Sequence, residues 1–181
     1  MKTKGGSEKR LLVQHLLPIL LIVVILAALE VNLLAASTGA DTFHVCPAGP
    51  PACDYGSVQA AVDAAASGDT IKVAGGTFTG VQERPAPAGY EGPASVRQMI
   101  YLTKTVTIEG GYATNDWTTS DPVARPTTLD AQGQGRVLLI AGQCSPVIRG
   151  LRLTGGDASD LGGTLSTDAG GAIYVLAAAA T

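Results

Sequence analysis

The chain is 181 residues long, carries a formal charge of -3, and holds 23 glycines but only 4% aromatic and 15% charged residues. That length suits one domain plus a targeting segment, and the composition excludes an aromatic-rich core and a long charged helix. No Lys/Arg cluster stands outside the N-terminus, so there is no electrostatic footprint for nucleic acid and no such partner is expected.

The chain opens with Lys2, Lys4, Lys9 and Arg10, followed by an unbroken apolar run from Leu16 to Leu29. Such a run fits the roughly 7 to 15 residues of a signal-peptide core and falls short of the ~20 that span a bilayer. Gln14 and His15 interrupt what could otherwise be a longer span from Leu11, and Ala35-Ala36-Ser37 and Thr38-Gly39-Ala40 offer small-residue cleavage sites. The reading is an export signal over residues 1–40, with cleavage favoured over a retained membrane anchor. The body is therefore expected to be secreted or held at the cell surface, touching a membrane only through this segment.

Cys46 and Cys53 bracket Pro47-Ala48-Gly49-Pro50-Pro51-Ala52, which can form neither helix nor central strand. In an oxidising compartment the two are expected to pair as a disulfide, in preference to a metal site for which only His44 is at hand. Cys144 is left over and reads as a small buried or half-buried thiol near a turn rather than a nucleophile. Val58, Ala61, Val62 and Ala65 recur at helical spacing, with Ser57 as N-cap and Gly68 beyond the end, which predicts a short amphipathic helix over 57–66. Its small apolar face suits a lid over the end of a stack of strands, so residues 41–67 read as an N-terminal cap.

From residue 68 onward one phrase recurs. Ile71-Lys72-Val73-Ala74-Gly75-Gly76, Val106-Thr107-Ile108-Glu109-Gly110-Gly111 and Leu151-Arg152-Leu153-Thr154-Gly155-Gly156 each read as a short alternating strand followed by a glycine bend. The spacing is too wide for hairpins and suits coils of roughly 20 to 25 residues, the signature of an all-β solenoid over 68–181. An antiparallel sandwich would need hairpin turns where long excursions stand. The first excursion, residues 80–95, is punctuated by Pro85, Pro87 and Pro93 and reads as an irregular outward loop. Gln98 to Thr103 resumes alternation, with Ile100 and Leu102 inward and Tyr101 outward. The second excursion, 112–127, holds Trp117, which could stack on a sugar ring but reads first as packing its loop onto the coils. Strands follow at 128–130, 135–140, 146–149 and 170–175, and no closing element appears. The chain is therefore expected to be the N-terminal part of a longer protein, with Val137, Ile140, Ile148, Leu151 and Leu153 or their neighbours at an open mouth.

Tyr55-Gly56-Ser57-Val58-Gln59-Ala60-Ala61-Val62-Asp63-Ala64-Ala65 and Gly68-Asp69-Thr70-Ile71-Lys72-Val73-Ala74-Gly75-Gly76-Thr77-Phe78 resemble the opening of secreted β-helix proteins of the pectin-lyase-like superfamily. Residues 106–112, 128–137 and 148–156 resemble their later coils. The resemblance implies a right-handed parallel β-helix with a parallel sheet on each of three faces, strands stacking ~4.8 Å apart. It implies no reaction. The clustered aspartates and neighbouring basic residue of polysaccharide-cleaving members have no counterpart here, so no catalytic residue, cofactor or metal is carried over.

The remaining chemistry is sparse. Asp157, Asp160 and Asp168 could offer oxygen ligands to calcium but lack the dense alternation of a calcium loop, and read as a solvated acidic loop. Glu109 and Asp130 could face one another as the carboxylate pair of a glycoside hydrolase, although Arg149 and Arg152 are placed to neutralise them across strands. The glycine pairs are followed by no Gly-Lys-Ser/Thr and make no phosphate loop. The expected function is a rigid, non-catalytic binding, adhesion or structural module for extracellular polysaccharide or a cell-surface partner. The alternative is a polysaccharide lyase or hydrolase whose site lies mostly in further coils.

Overall fold

The computed structural model describes residues 39–163 and 167–176. The export segment lies, but for its last two residues, outside this range. Among the described residues there are eleven strands and one helix: β1 Thr42–Val45, α1 Val58–Ala64, β2 Thr70–Ala74, β3 Gly76–Thr79, β4 Gln82–Pro85, β5 Ser95–Leu102, β6 Thr107–Tyr112, β7 Thr127–Asp130, β8 Arg136–Ala141, β9 Val147–Arg149, β10 Leu151–Thr154 and β11 Ile173–Leu176. They form three sheets, ordered β1-β2-β6-β9, β3-β7-β10 and β4-β5-β8-β11. Every pairing is parallel except β4 with β5. The protein is thus all-β, with its strands in mainly parallel sheets.

Alternation in sequence becomes stacking in space because the registers align like with like. Phe43, Ile71, Ile108 and Ile148 form one row across the first sheet, and Phe78, Leu129 and Leu153 another across the second. In the third sheet Ile100 aligns with Leu138 and Ile173, and Leu102 with Ile140 and Val175. Residues of all three sheets meet in one apolar cluster. Each fully buried Ile or Leu in it contributes on the order of 2 kcal/mol. The rows run out at β11, where Ile173 and Val175 are 45% and 63% exposed. Of the residues expected at an open mouth, Val137 is instead fully buried, because β11 has paired over β8 and the Val137 amide donates to the Gly171 carbonyl. Ile140, Ile148, Leu151 and Leu153 are half-buried.

Residues 41–67 pack against the first strands. The Ser57 hydroxyl accepts from the Ala60 amide at 3.2 Å and starts α1, which buries Val58, Ala61 and Val62 against β1, β2 and β5. Buried Gln59 stands in for a missing strand, accepting the Tyr101 amide at 2.6 Å and donating to the Tyr101 carbonyl at 3.3 Å. At the other end of α1, the Lys104 ammonium donates to the carbonyls of Val62, Asp63 and Ala65, the arrangement a helix C-terminus favours. Cys46 and Cys53 are joined in a disulfide, and the Pro47 ring of that loop sits against Gly76 at the start of β3.

Two expectations need correction. Residues 80–95 are not an irregular loop throughout: Gln82–Pro85 pairs antiparallel with Ser95–Gln98, because Pro85 ends the strand and needs no ladder donor beyond it. Gly110 and Gly111 do not bend the chain after a strand but lie within β6, where Lys72 aligns with Glu109 and Ala74 with Tyr112. The extra residue is a β-bulge, and Gly111 adopts φ 92°, open to glycine at little cost.

The outer face of the third sheet is covered rather than solvated. Val96, Leu139, Ala141 and Tyr174 form a second apolar cluster under Ala86, Tyr90 and Ala169 of two overlying loops. Arg136, fully buried, ties these loops down. Its guanidinium donates to the carbonyls of Ala169 (3.0 Å) and Gly162 and to the Tyr90 hydroxyl (2.8 Å), with its cation 4.8 Å from the Tyr174 ring centre. Tyr90 in turn donates to the Leu161 carbonyl. Buried charge is tolerated here because carbonyl dipoles and ring faces replace its water.

Candidate functional site

The outer face of the first sheet carries one polar row: His44, Lys72, Glu109 and Arg149 are in register on successive strands. Arg149 grips Glu109 with two contacts, Nε to Oε1 at 3.0 Å and Nη2 to Oε2 at 3.1 Å. The Tyr112 hydroxyl donates to Glu109 Oε2 at 2.7 Å. Burial pushes the Glu109 carboxyl up, but the Tyr112 hydroxyl, Arg149 and Lys72 outweigh it and hold it below the ordinary value. Glu109 is thus a held carboxylate and not a proton donor. Burial and the bond to Glu109 push Tyr112 up to about 12.

Trp117 completes this face. Its ring lies 4.4 Å from the His44 ring and 6.0 Å from that of Tyr112, and its carbonyl accepts from Lys72 Nζ at 2.6 Å. The loop is packed onto the sheet by its tryptophan, as its sequence suggested.

The other sequence-derived candidates are not brought together. Asp130 belongs to the second sheet, in register with Thr79 and Thr154, and its Oδ1 accepts the Gln132 amide at 2.9 Å. It makes no carboxylate pair with Glu109. Arg152 aligns with Thr128 and not with either carboxylate. Asp157 accepts the Ser159 amide and hydroxyl, while Asp168 accepts the amides of Asp160 and Gly162, so both carboxylates organise their own loop. No group of three His, Cys, Asp or Glu among the described residues is placed to hold a metal ion. Burial pushes the Cys144 thiol up, away from the thiolate a nucleophile needs.

What the fold does build is a cleft of about 460 Å³ between the outer face of the second sheet and the 112–126 excursion. Its floor is Gly75, Gly76, Thr77 and Thr128, and its walls are Tyr112, Thr114, Asn115, Arg125 and Pro126. Thr77 and Thr128 are outward residues in register on β3 and β7. Thr114 and Asn115 form the tip of a turn closed by the Asp116 amide donating to the Ala113 carbonyl at 3.0 Å. Arg125 is held by its Nε to the Gly111 carbonyl (3.1 Å) and its Nη2 to the Thr119 carbonyl (3.2 Å). Gly75 is needed where it stands, because a Cβ there would lie 3.0 Å from Arg125 Cβ and 3.1 Å from its carbonyl carbon.

Within the described structure the side chains of Thr77, Thr114, Asn115 and Thr128 have no protein hydrogen-bond partner, and no carboxylate lines the cleft. The lining therefore offers hydroxyl and amide donors and acceptors that no protein group uses. None of these four residues stood out in the sequence. The one available signal was the outward threonine of each strand after its glycine pair, which marks a polar sheet face but not the loop that walls it. No protein-family model matches this chain, and neither a curated protein nor a solved structure matches it.

Proposed function

We propose that this chain is a right-handed parallel β-helix acting outside the cell as a rigid, non-catalytic module that binds glycans in the Thr77–Asn115–Arg125–Thr128 cleft. The winding is supported by the order of the three sheets, each of which adds its strands in chain order, and by like-with-like rows across them. The resemblance of residues 55–78 to pectin-lyase-like β-helices points the same way, and a disulfide fits an oxidising compartment. The observation that carries the binding reading is the cleft's lining: hydroxyls and an amide without internal partners, and no carboxylate. Sugars present the matching donors and acceptors, and cleavage would need a paired acid and base.

The test is binding of the purified protein to immobilised plant, fungal and bacterial polysaccharides, with parallel assays for reducing and unsaturated ends. Retention on at least one polysaccharide with no release of ends is expected, and Asn115→Ala with Thr128→Val should abolish retention. Release of ends that stops on Glu109→Ala or Asp130→Ala would refute the non-catalytic reading.

A further inference from the structure

The cations around the cleft, Lys72 and Arg125, each donate to backbone carbonyls. Lys72 donates to the Trp117 carbonyl and lies beside Glu109, which Arg149 also grips. Arg125 spends two of its donors on the carbonyls of Gly111 and Thr119. Two carboxylates also lie close enough to feel it. Asp116 is held below its ordinary value first by the Thr118 hydroxyl and amide and in smaller part by Arg125. Asp121 is held down first by the Ala124 amide and in smaller part by Arg125. The cation at the cleft wall is therefore tied to backbone carbonyls of its own loop before any ligand arrives. An incoming uronate would have to compete with the Gly111 and Thr119 carbonyls for this guanidinium, and would lose its own hydration to reach it. A hydroxyl would meet no such penalty.

We infer, building on the glycan-binding reading, that the cleft selects neutral, hydroxyl-bearing sugar units over uronates. The free groups in it are Thr77, Thr114 and Thr128 hydroxyls, each able to donate and accept, and the Asn115 amide, which does both at fixed positions. They stand on two sheet strands and one tight turn, so a sugar ring can be held by several at once. A volume of about 460 Å³ admits a short stretch of chain rather than a single small ion.

The experiment is NMR titration of the isotope-labelled protein with neutral hexasaccharides of glucose, galactose, mannose and xylose, and with an oligogalacturonate of equal length, each at low and high salt. A neutral hexasaccharide should shift the resonances of Thr77, Thr114, Asn115 and Thr128, with affinity changing less than about twofold with salt because no counterions are released. Thr128→Val, a near-isosteric change, should weaken it about tenfold, as expected for one lost hydrogen bond of about 1.4 kcal/mol. Tighter, salt-sensitive binding of the oligogalacturonate at these residues, lost in Arg125→Gln, would overturn the neutral-sugar inference while leaving glycan binding intact. No shift with any oligosaccharide would overturn both.

Discussion

Replacing Tyr112 by phenylalanine isolates one bond at the centre of the polar row. The ring stays, walled by Lys72 on one side, while the hydroxyl that donates to Glu109 at 2.7 Å is removed. At neutral pH, losing a hydrogen bond to a charged acceptor costs about 1.5 to 3 kcal/mol, and the grip of Arg149 on Glu109 places the expected loss near the lower end, about 1.5 kcal/mol. The sharper test lies in alkali. Tyr112 is only 4% exposed, so solvent screens the interaction little. Its folded pKa is raised, so its stabilising contribution is complete below the unfolded value of 10.0 and drains away as the pH climbs through about 12. Between about pH 9 and pH 11 the wild type should lose about 1.4 kcal/mol that the phenylalanine variant does not, and about 2 to 3 kcal/mol by full ionisation. Tyr101, also raised, is present in both proteins and cancels in the comparison. Urea unfolding of both proteins at the two pH values measures the difference directly. A gap between wild type and variant that stayed constant across this range would show that the phenol does not depend on the Glu109 carboxylate, and the described geometry of the row would be wrong.

Arg136→Met should cost about 2 to 4 kcal/mol, since it leaves two carbonyls and the Tyr90 hydroxyl without their donor, and hydrogen exchange should quicken in residues 86–94 and 157–163 before it does in β2 or β6. Replacing Cys46 and Cys53 by serine should cost about 2 to 3 kcal/mol, the modest figure expected for a short closed loop; peptide mapping without reduction should find these two cysteines linked and Cys144 free. Ile173 and Val175 point toward the larger core yet lie bare, so the purified protein should self-associate, and light scattering should show a shift toward monomer in the Ile173→Lys/Val175→Lys double variant.

Local chemistry was the part of this molecule most readable in one dimension. Ser57 and Gly68 mark the helix, the proline-filled Cys46–Cys53 segment marks its staple, and alternation at Ile71, Ile108 and Leu153 marks strands with the correct inward faces. Of Arg149 and Arg152, both expected to neutralise Glu109 and Asp130 across strands, only Arg149 does so, at Glu109, while Arg152 aligns with Thr128. What stayed hidden depends on contacts between distant segments. Nothing in the sequence marks Arg136 as interior, and only the two loops folding over the third sheet make it so. The Gln82–Pro85 strand was hidden by Pro85 and by Pro87 just beyond it, which forbid a central strand but not an edge. The cleft was invisible for a further reason: Thr77, Thr128 and Asn115 come together only because an excursion of the chain returns over Gly75, and a threonine carries no mark of what will stand opposite it.

The order of strands within the sheets has a consequence for how the molecule is made. In each of the three sheets, every strand lies next to the one that precedes it in that sheet along the chain, and the helix and disulfide loop sit beside the earliest strands. Nothing that forms late has to be threaded between elements that formed early. A chain emerging N-terminus first can therefore lay β2 against β1, and then use each finished edge as the template on which the next segment condenses. Parallel pairing between distant residues is ordinarily slow, because a loop must close before any contact rewards it. Here each closure lands on a surface already in place, so assembly becomes a series of searches in a fixed direction.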